Sequence, residues 1–331
     1  MKYKEADVPY CGVSAKKIKR AEPVVSEKSM LMLYQYIKER YKIHIRKDVE
    51  KLPKPWTTNE ILLNYRFTNV RREHDTETKW LIENIATNKN LSYDNKLMNC
   101  ILFRLYNKKE TMELIGGPVN FEGFNPEEHR SVLETFEEAN PDIPLFTTAF
   151  WTSGLKKAMK KYVGGDDIPS VRTLFYAKYL YDKGILDGVK RAKNQKESFV
   201  ALKNFCGIGD FLGYQMWVDM TYIKEFPFSE NEFTVAGPGC RMGIDFLFVD
   251  KDGMSYEECL FWLRDNIDDE FRRREFKWDP KKLMVDVPEG ERYLNIMSLE
   301  NCFCEFSKYY RTSEGISRPR KRYNGQKEGK R

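Results

Sequence analysis

Apolar residues recur at helical spacing through most of the chain. Met30, Leu33, Ile37 and Tyr41 are interleaved with Lys, Glu and Arg, which predicts an amphipathic helix from Ser26 to about Arg46. Ser26 suits its N-cap, although Ser29 at the third helical position provides no capping box. Lys51-Leu-Pro-Lys-Pro then breaks the pattern with two prolines and reads as a loop. The periodicity resumes near 77–85 and again over 94–107, where Leu97, Ile101, Leu102 and Leu105 point inward. Arg104 and Asn107 sit in that apolar segment, where a guanidinium needs a partner if buried. Residues 116–125 read as loop, and Asn125-Pro126 opens an acidic helix reaching Glu138. Leu145 to Trp151 is a short β-branched and aromatic run, either a small hairpin or part of the core. Further helices are predicted at 170–183, 196–205, 256–274 and 299–311. There is no internal repeat and no alternation of strands with helices. The expected fold is mostly α, one compact body or two helical lobes, with 161–169 and 280–291 as the best candidate linkers.

The stretch from Leu202 to Asp245 stands out. Gly207-Ile208-Gly209 separates two helical patterns, with Ile208 placed to plug the gap and Gly213 to let the helices cross closely. This is the pattern of a helix-hairpin-helix, near 196–223. Glycine amides at a helix start expose unpaired donors in a region of partial positive charge, which suits a phosphate. An ordinary interhelical turn has the same signature. Phe226-Pro227 follows, then Glu230 and Glu232, then Gly237-Pro238-Gly239 and Arg241. In base-excision glycosylases a catalytic carboxylate follows the hairpin by roughly twenty residues, so the analogy points to Glu230 or Glu232. Gly237 and Gly239 would present backbone N–H groups like those of Gly207 and Gly209.

Composition narrows the classes. Seven cysteines are scattered, and the three histidines, His44, His74 and His129, lie far apart along the chain, which argues against a metal site. The opening residues carry charge without an apolar core, and no run of eighteen apolar residues occurs, so an intracellular protein without a membrane span is expected. The net charge of +6 resides in the C-terminal stretch 318–331, with seven Lys/Arg and one Glu; the rest is balanced. We read 313–331 as a disordered basic arm suited to polyanions or simply to solubility, 1–50 as a basic extension with the amphipathic helix, and 51–312 as the helical domain.

No Gly-x-x-x-x-Gly-Lys-Ser/Thr phosphate loop, no Gly-x-Gly-x-x-Gly after a strand, and no zinc-deaminase signature is present. What remains is carboxylates, arginines and glycine loops. Asp219 lies on the second hairpin helix, with Gln215 one turn before it. Asp219 could act as base or electrostatic stabiliser, or only as a cap or ion-pair partner.

Five blocks occur in order: Arg66-Phe-Thr-Asn-Val-Arg-Arg-Glu-His-Asp75, Ile101-Leu-Phe-Arg-Leu-Tyr-Asn107, Gly207-Ile-Gly-Asp-Phe-Leu-Gly-Tyr-Gln215, Glu232-Phe-Thr-Val-Ala-Gly-Pro-Gly239 and Cys304-Glu-Phe-Ser-Lys-Tyr309. Together, over roughly 50–312, they resemble the helical domain shared by 5-hydroxymethyldeoxyuridine DNA kinases and alpha-glutamyl/putrescinyl thymine pyrophosphorylases. The resemblance implies a glycosylase-like helix-hairpin-helix fold, a catalytic and DNA-binding role for 51–312, and a part in thymidine hypermodification of bacteriophage DNA. Without a phosphate loop, the transferase branch fits better than the kinase branch. It would move an amino acid or polyamine onto pyrophosphorylated 5-hydroxymethyluracil in a flipped-out nucleotide, releasing pyrophosphate, with no certain cofactor beyond that co-substrate. A 5-hydroxymethyluridine DNA kinase would act upstream. Asp75, Asp219, Glu232 or Glu305 would take the proton of the incoming amine. Arg66, Arg72, Arg104 or Arg241, with Asn107 and Gln215, would hold the pyrophosphate or substrate. Gly207, Gly209, Gly237 and Gly239 would hold the DNA backbone. A DNA glycosylase and a non-enzymatic DNA-binding scaffold are the competing readings.

Overall fold

A computed structural model describes residues 15–147, 150–164 and 168–317; the first fourteen residues and the basic stretch 318–331 lie outside the described residues. The described chain is mostly helical, with one two-stranded antiparallel sheet. It forms two compact units. One is Thr76–Glu232; the other joins residues up to Asp75 with residues from Phe233 onward, so the first unit is inserted within the second. The breaks fall at 75/76 and 232/233, and the stretches 161–169 and 280–291 each lie within a single unit.

The discontinuous unit begins with α1 (Ala15–Arg20), β1 (Val24–Val25), α2 (Glu27–His44) and α3 (Glu60–Asn64). The Ser26 hydroxyl caps α2 by accepting from Ser29 N at 3.3 Å. Met30, Leu33, Ile37 and Tyr41 are all buried, so α2 is a core helix rather than a peripheral extension. A wide turn of π type, Ile45–Val49, continues it.

The inserted unit holds α4 (Thr76–Leu81), α5 (Tyr93–Tyr106), α6 (Lys109–Leu114), α7 (Arg130–Ala139), α8 (Ser153–Tyr162), α9 (Pro169–Asp182), α10 (Ile185–Arg191), α11 (Gln195–Lys203) and α12 (Asp210–Thr221). Every residue of α5 from Asn95 to Tyr106 is buried, as expected of a central helix surrounded by others. Its polar side chains are used internally. Asn99 bonds both ways with the Val119 backbone at 2.7 and 2.9 Å, and Asn95 accepts from Phe121 N at 2.8 Å, which pins the predicted 116–125 loop. The run 145–151 contains no strand among its described residues; Thr147 instead bonds the end of α5.

The chain then returns with α13 (Pro238–Leu247), β2 (Phe248–Asp250), α14 (Tyr256–Arg273), α15 (Pro280–Leu283) and α16 (Ile296–Ser313). β2 pairs antiparallel with β1. One core cluster joins α2 to α13, α14 and α16 through Leu33, Ile37, Cys240, Ile244, Leu263, Phe303 and Phe306. The Gly-Pro-Gly sequence read as a turn is a helix start. Gly237 is the N-cap, Pro238 occupies the first turn, and Gly239 and Gly243 face α16. A Cβ at Gly243 would lie 2.3 Å from the Phe303 carbonyl oxygen, so only glycine permits this approach.

Candidate active site

The residues proposed from sequence fall into two groups, one in each unit. In the inserted unit, Arg104 donates to Asp219 through Nε at 2.7 Å and Nη2 at 2.6 Å, and through Nη1 to Asn107 Oδ1. Asn107 is the left-handed C-cap of α5, with φ of 48°. The Phe150 ring lies 5.0 Å from the guanidinium carbon. Asp219 is fully buried and Arg104 nearly so. The pair therefore joins α5 to α12, and Asp219 sits as an anchored carboxylate. Gln215 is buried on the same helix.

The glycine turn 204–209 connects α11 to α12. Ile208 is buried, and a Cβ on Gly213 would touch Ile208, Lys203 and Phe199 at 3.3–3.4 Å, which is the close crossing anticipated from sequence. Gly207 has φ of +91°, and a Cβ there would meet Ala158 at 2.6 Å, so its glycine serves packing. Gly209, the N-cap of α12, faces open space. Asp210 and Lys203 pair beside it. Glu232 is exposed on the loop and accepts from Gln195 Nε2 at 2.5 Å.

The second group gathers three of the five sequence blocks. α16 presents Glu300, Asn301, Cys304, Glu305 and Lys308 along one face, and the segment 66–75 lies against it. Glu305 accepts from Thr68 N at 3.2 Å and pairs with Lys308 at 2.6 Å. Asn301 accepts from the Thr68 hydroxyl at 3.2 Å and donates to Asn69 O at 2.8 Å. Asn69 in turn donates to Asp75 through its backbone N and side chain at 2.9 and 3.0 Å. Burial pushes the Asp75 carboxyl up, against the pull of Asn69, Arg40 and Arg72.

The N-cap of α13 meets the same face. Gly237 N donates to Glu300 Oε1 over a long 3.4 Å. Glu300 is buried, and that burial pushes its carboxyl up to about 7, against the Gly237 hydrogen bond and the charge of Arg72. Glu300 is thus poised to exchange a proton near neutral pH. It was not among the sequence candidates. Its partner is a backbone amide 63 positions away, a pairing that periodicity cannot reveal.

The Gly237 amide donates to Glu300, and Gly239 packs against Cys304, so both glycines make contacts within the fold. Arg241 lies exposed on α13, its Nε donating to Ala236 O at 2.8 Å, while Glu257 accepts from Ala236 N at 3.0 Å. Arg66 is exposed and Arg72 buried. Arg71, passed over in the sequence, bonds Glu73, Glu291 and the Arg292 carbonyl. The thiol of Cys304 is pushed up to about 12 by burial, so it is no thiolate nucleophile. His44 and His74 lie far apart along the chain, yet the fold stacks their rings with centroids 4.0 Å apart.

No helix among the described residues is long and apolar enough to cross a membrane. A family model described as the helical domain of 5-hmdU DNA kinase matches residues 27–318. This reaches further toward the N-terminus than the blocks read from sequence, and takes in α2. A 5-hmdU DNA kinase of Bacillus phage SP10 is 26% identical over 329 residues, covering 92% of this chain and 50% of that protein. The chain therefore spans about half the length of the curated relative it matches. No solved structure matches. With the family match running over residues 27–318, through both units, the chain belongs to the family of 5-hmdU DNA kinase helical domains.

Proposed function

We propose that this protein takes part in hypermodification of 5-hydroxymethyluracil in DNA, and that it transfers an amino acid or polyamine onto the pyrophosphorylated base. The observation that carries this reading is the placement of Glu300: a buried carboxyl, pushed up by that burial, set among the blocks 66–75, 232–239 and 304–309 and against the N-cap amide of Gly237. In the proposed reaction the amine loses a proton to Glu300. Its nitrogen then forms a bond to the 5-methylene carbon as the methylene carbon–oxygen bond breaks, and the electron pair leaves with pyrophosphate. The leaving group is highly anionic, and the exposed forks of Arg66 and Arg241 suit it. Asp75 and Glu305 hold the segment carrying Arg72 through Asn69 and Thr68, which is a positioning role. The turn before α12, with Gly209 open to its surroundings, suits a phosphate of the DNA backbone. The relative's name specifies a kinase; these 331 residues contain no phosphate-loop sequence, and the transfer proposed here requires none. A separate kinase would supply the pyrophosphorylated base.

The test is nucleoside mass spectrometry of DNA carrying pyrophosphorylated 5-hydroxymethyluracil, incubated with the protein, amino acids and polyamines. A new base adduct that disappears in Glu300→Gln supports the transfer. Abasic sites would instead identify a glycosylase. Unchanged DNA that is still bound would identify a non-enzymatic scaffold.

A further inference from the structure

Away from Glu300, the same unit builds a second polar cluster that the proposed reaction does not use. His44 is the last residue of α2, and the wide turn that follows brings Asp48 back onto it: His44 Nδ1 lies 3.0 Å from Asp48 Oδ2. The other ring nitrogen, Nε2, lies 2.7 Å from Asp286 Oδ2. His74, from the segment that carries Arg72 and Asp75, brings its Nε2 to 3.4 Å from the same oxygen. The rings stack within 12° of parallel, and the three prospective donor atoms all lie within 4.8 Å of one another. Tyr41 donates its hydroxyl to the other oxygen of Asp286.

The chemistry of imidazole gives this arrangement meaning. A neutral ring carries one N–H. Donated from Nδ1 to Asp48, it leaves the Nε2 lone pair facing a carboxylate oxygen, and two electron-rich atoms at 2.7 Å require a cation shared between them. A proton on His44 meets that need, and an Nε2–H on His74 would donate to the same oxygen; a metal ion would instead engage all three converging donor atoms at once. Two imidazole nitrogens and a carboxylate are a donor set for a borderline divalent metal, and a carboxylate on the far nitrogen of a ligating histidine is the usual outer support.

We propose that His44, His74 and Asp286 form a binding site for a divalent transition metal of the zinc class, with Asp48 and Tyr41 orienting its ligands. The site takes one ligand from the end of α2, one from the 66–75 segment and one from the segment after α15. Arg71 already clamps the last two together through Glu291 and the Arg292 carbonyl. Bound metal would fix the position of His74 and therefore of its neighbour Asp75. This is a structural and positioning role, independent of whether the transferase reading holds.

The experiment is calorimetric titration of the metal-stripped full chain with zinc, repeated with cobalt and read by absorption, with magnesium as the hard-cation control. One zinc per chain is expected, with cobalt giving ligand-field bands and no thiolate-to-cobalt charge transfer. His74→Ala and Asp286→Asn should each weaken zinc by more than tenfold, and Asp48→Asn by roughly tenfold or more. His129→Ala, which alters the histidine outside the cluster, should bind as wild type does. No zinc binding by the wild-type chain would overturn the proposal and leave a proton as the shared cation. Unchanged binding in both ligand variants, or a thiolate charge-transfer band, would also overturn it. Should a ligand variant fail to fold, the wild-type titration and cobalt spectrum still decide.

Discussion

Glu300 and Asp219 are both buried carboxylates, and their environments predict opposite behaviour. Glu300 holds its proton more tightly in the folded chain than an ordinary glutamate does, since its carboxyl is raised from 4.5 to about 7. The associated stability is full below pH ~4.5 and is lost as the pH rises through about 7; the loss has an upper bound of about 3 kcal/mol. Glu300→Gln keeps an acceptor for Gly237 N and removes the ionisation. It should abolish transfer while raising the melting temperature at pH 7.5, and leave it near wild type at pH 5. Equal melting temperatures at both pH values would show that the carboxyl titrates normally. Asp219 already has its compensating charge in Arg104. Asp219→Ala should cost roughly 3–5 kcal/mol in chemical denaturation, because it strands a buried guanidinium, and pairing it with Arg104→Met should recover much of the loss. Lost activity in Asp219→Ala therefore says little about catalysis unless stability is followed as well. The sequence showed that Arg104 sits in an apolar segment; its partner, 115 positions away, became visible only in the fold.

Elements were legible where an apolar stripe runs unbroken. The spacing predicted α2, α5, α9, α11, α12, α14 and α16 to within a few residues of their observed ends. α13 was hidden because two glycines and a proline are poor helix formers, and local propensity points to a turn. Tertiary packing overrides it: with side chains absent at Gly239 and Gly243, α13 lies directly on the backbone of α16, and the approach carries the Gly237 amide to Glu300. Gly243→Ala would press a methyl onto a carbonyl oxygen that cannot turn aside. Gly239→Ala meets the Cys304 sulfur at 2.7 Å, which a rotamer change can relieve. Overpacking of this kind costs about 1–3 kcal/mol, and Gly243→Ala should fall at the upper end or beyond while Gly239→Ala falls below it. Thermal denaturation of the two variants checks the order; equal losses would mean that α13 has slack against α16. The same comparison separates the hairpin glycines. Gly207→Ala should be destabilising through its positive φ and Ala158, and Gly209→Ala should fold normally.

At the scale of the whole molecule, one unit is assembled from two stretches separated by the entire other unit. Its core joins α2 to α13, α14 and α16, so it cannot close until the last of these has been made. Linker composition gave no hint of this, because the crossings at 75/76 and 232/233 fall at the edges of the blocks 66–75 and 232–239, which do not read as linkers. Charge is distributed as unevenly as the core. Outside 318–331 the chain has as many acidic as basic residues, and that stretch alone carries the net +6. If DNA is the substrate, long-range attraction must come mainly from this stretch, whereas contacts at the α12 N-terminus and at Arg66 and Arg241 are local. Each phosphate neutralised by a lysine or arginine adds about 0.9 to the slope of log affinity against log salt. Ending the chain at Ser317 should therefore flatten that slope by as much as about 6 for duplex DNA, with the largest affinity loss at low salt. The two chains should converge as salt rises and screening removes the tail's advantage, and turnover at saturating DNA should be unchanged, since Glu300 and its neighbours are untouched. Affinity measured across a salt series decides this: identical slopes for the full and shortened chains would place the attraction on the balanced body of the protein, and a matching fall in turnover would place the tail in the reaction itself.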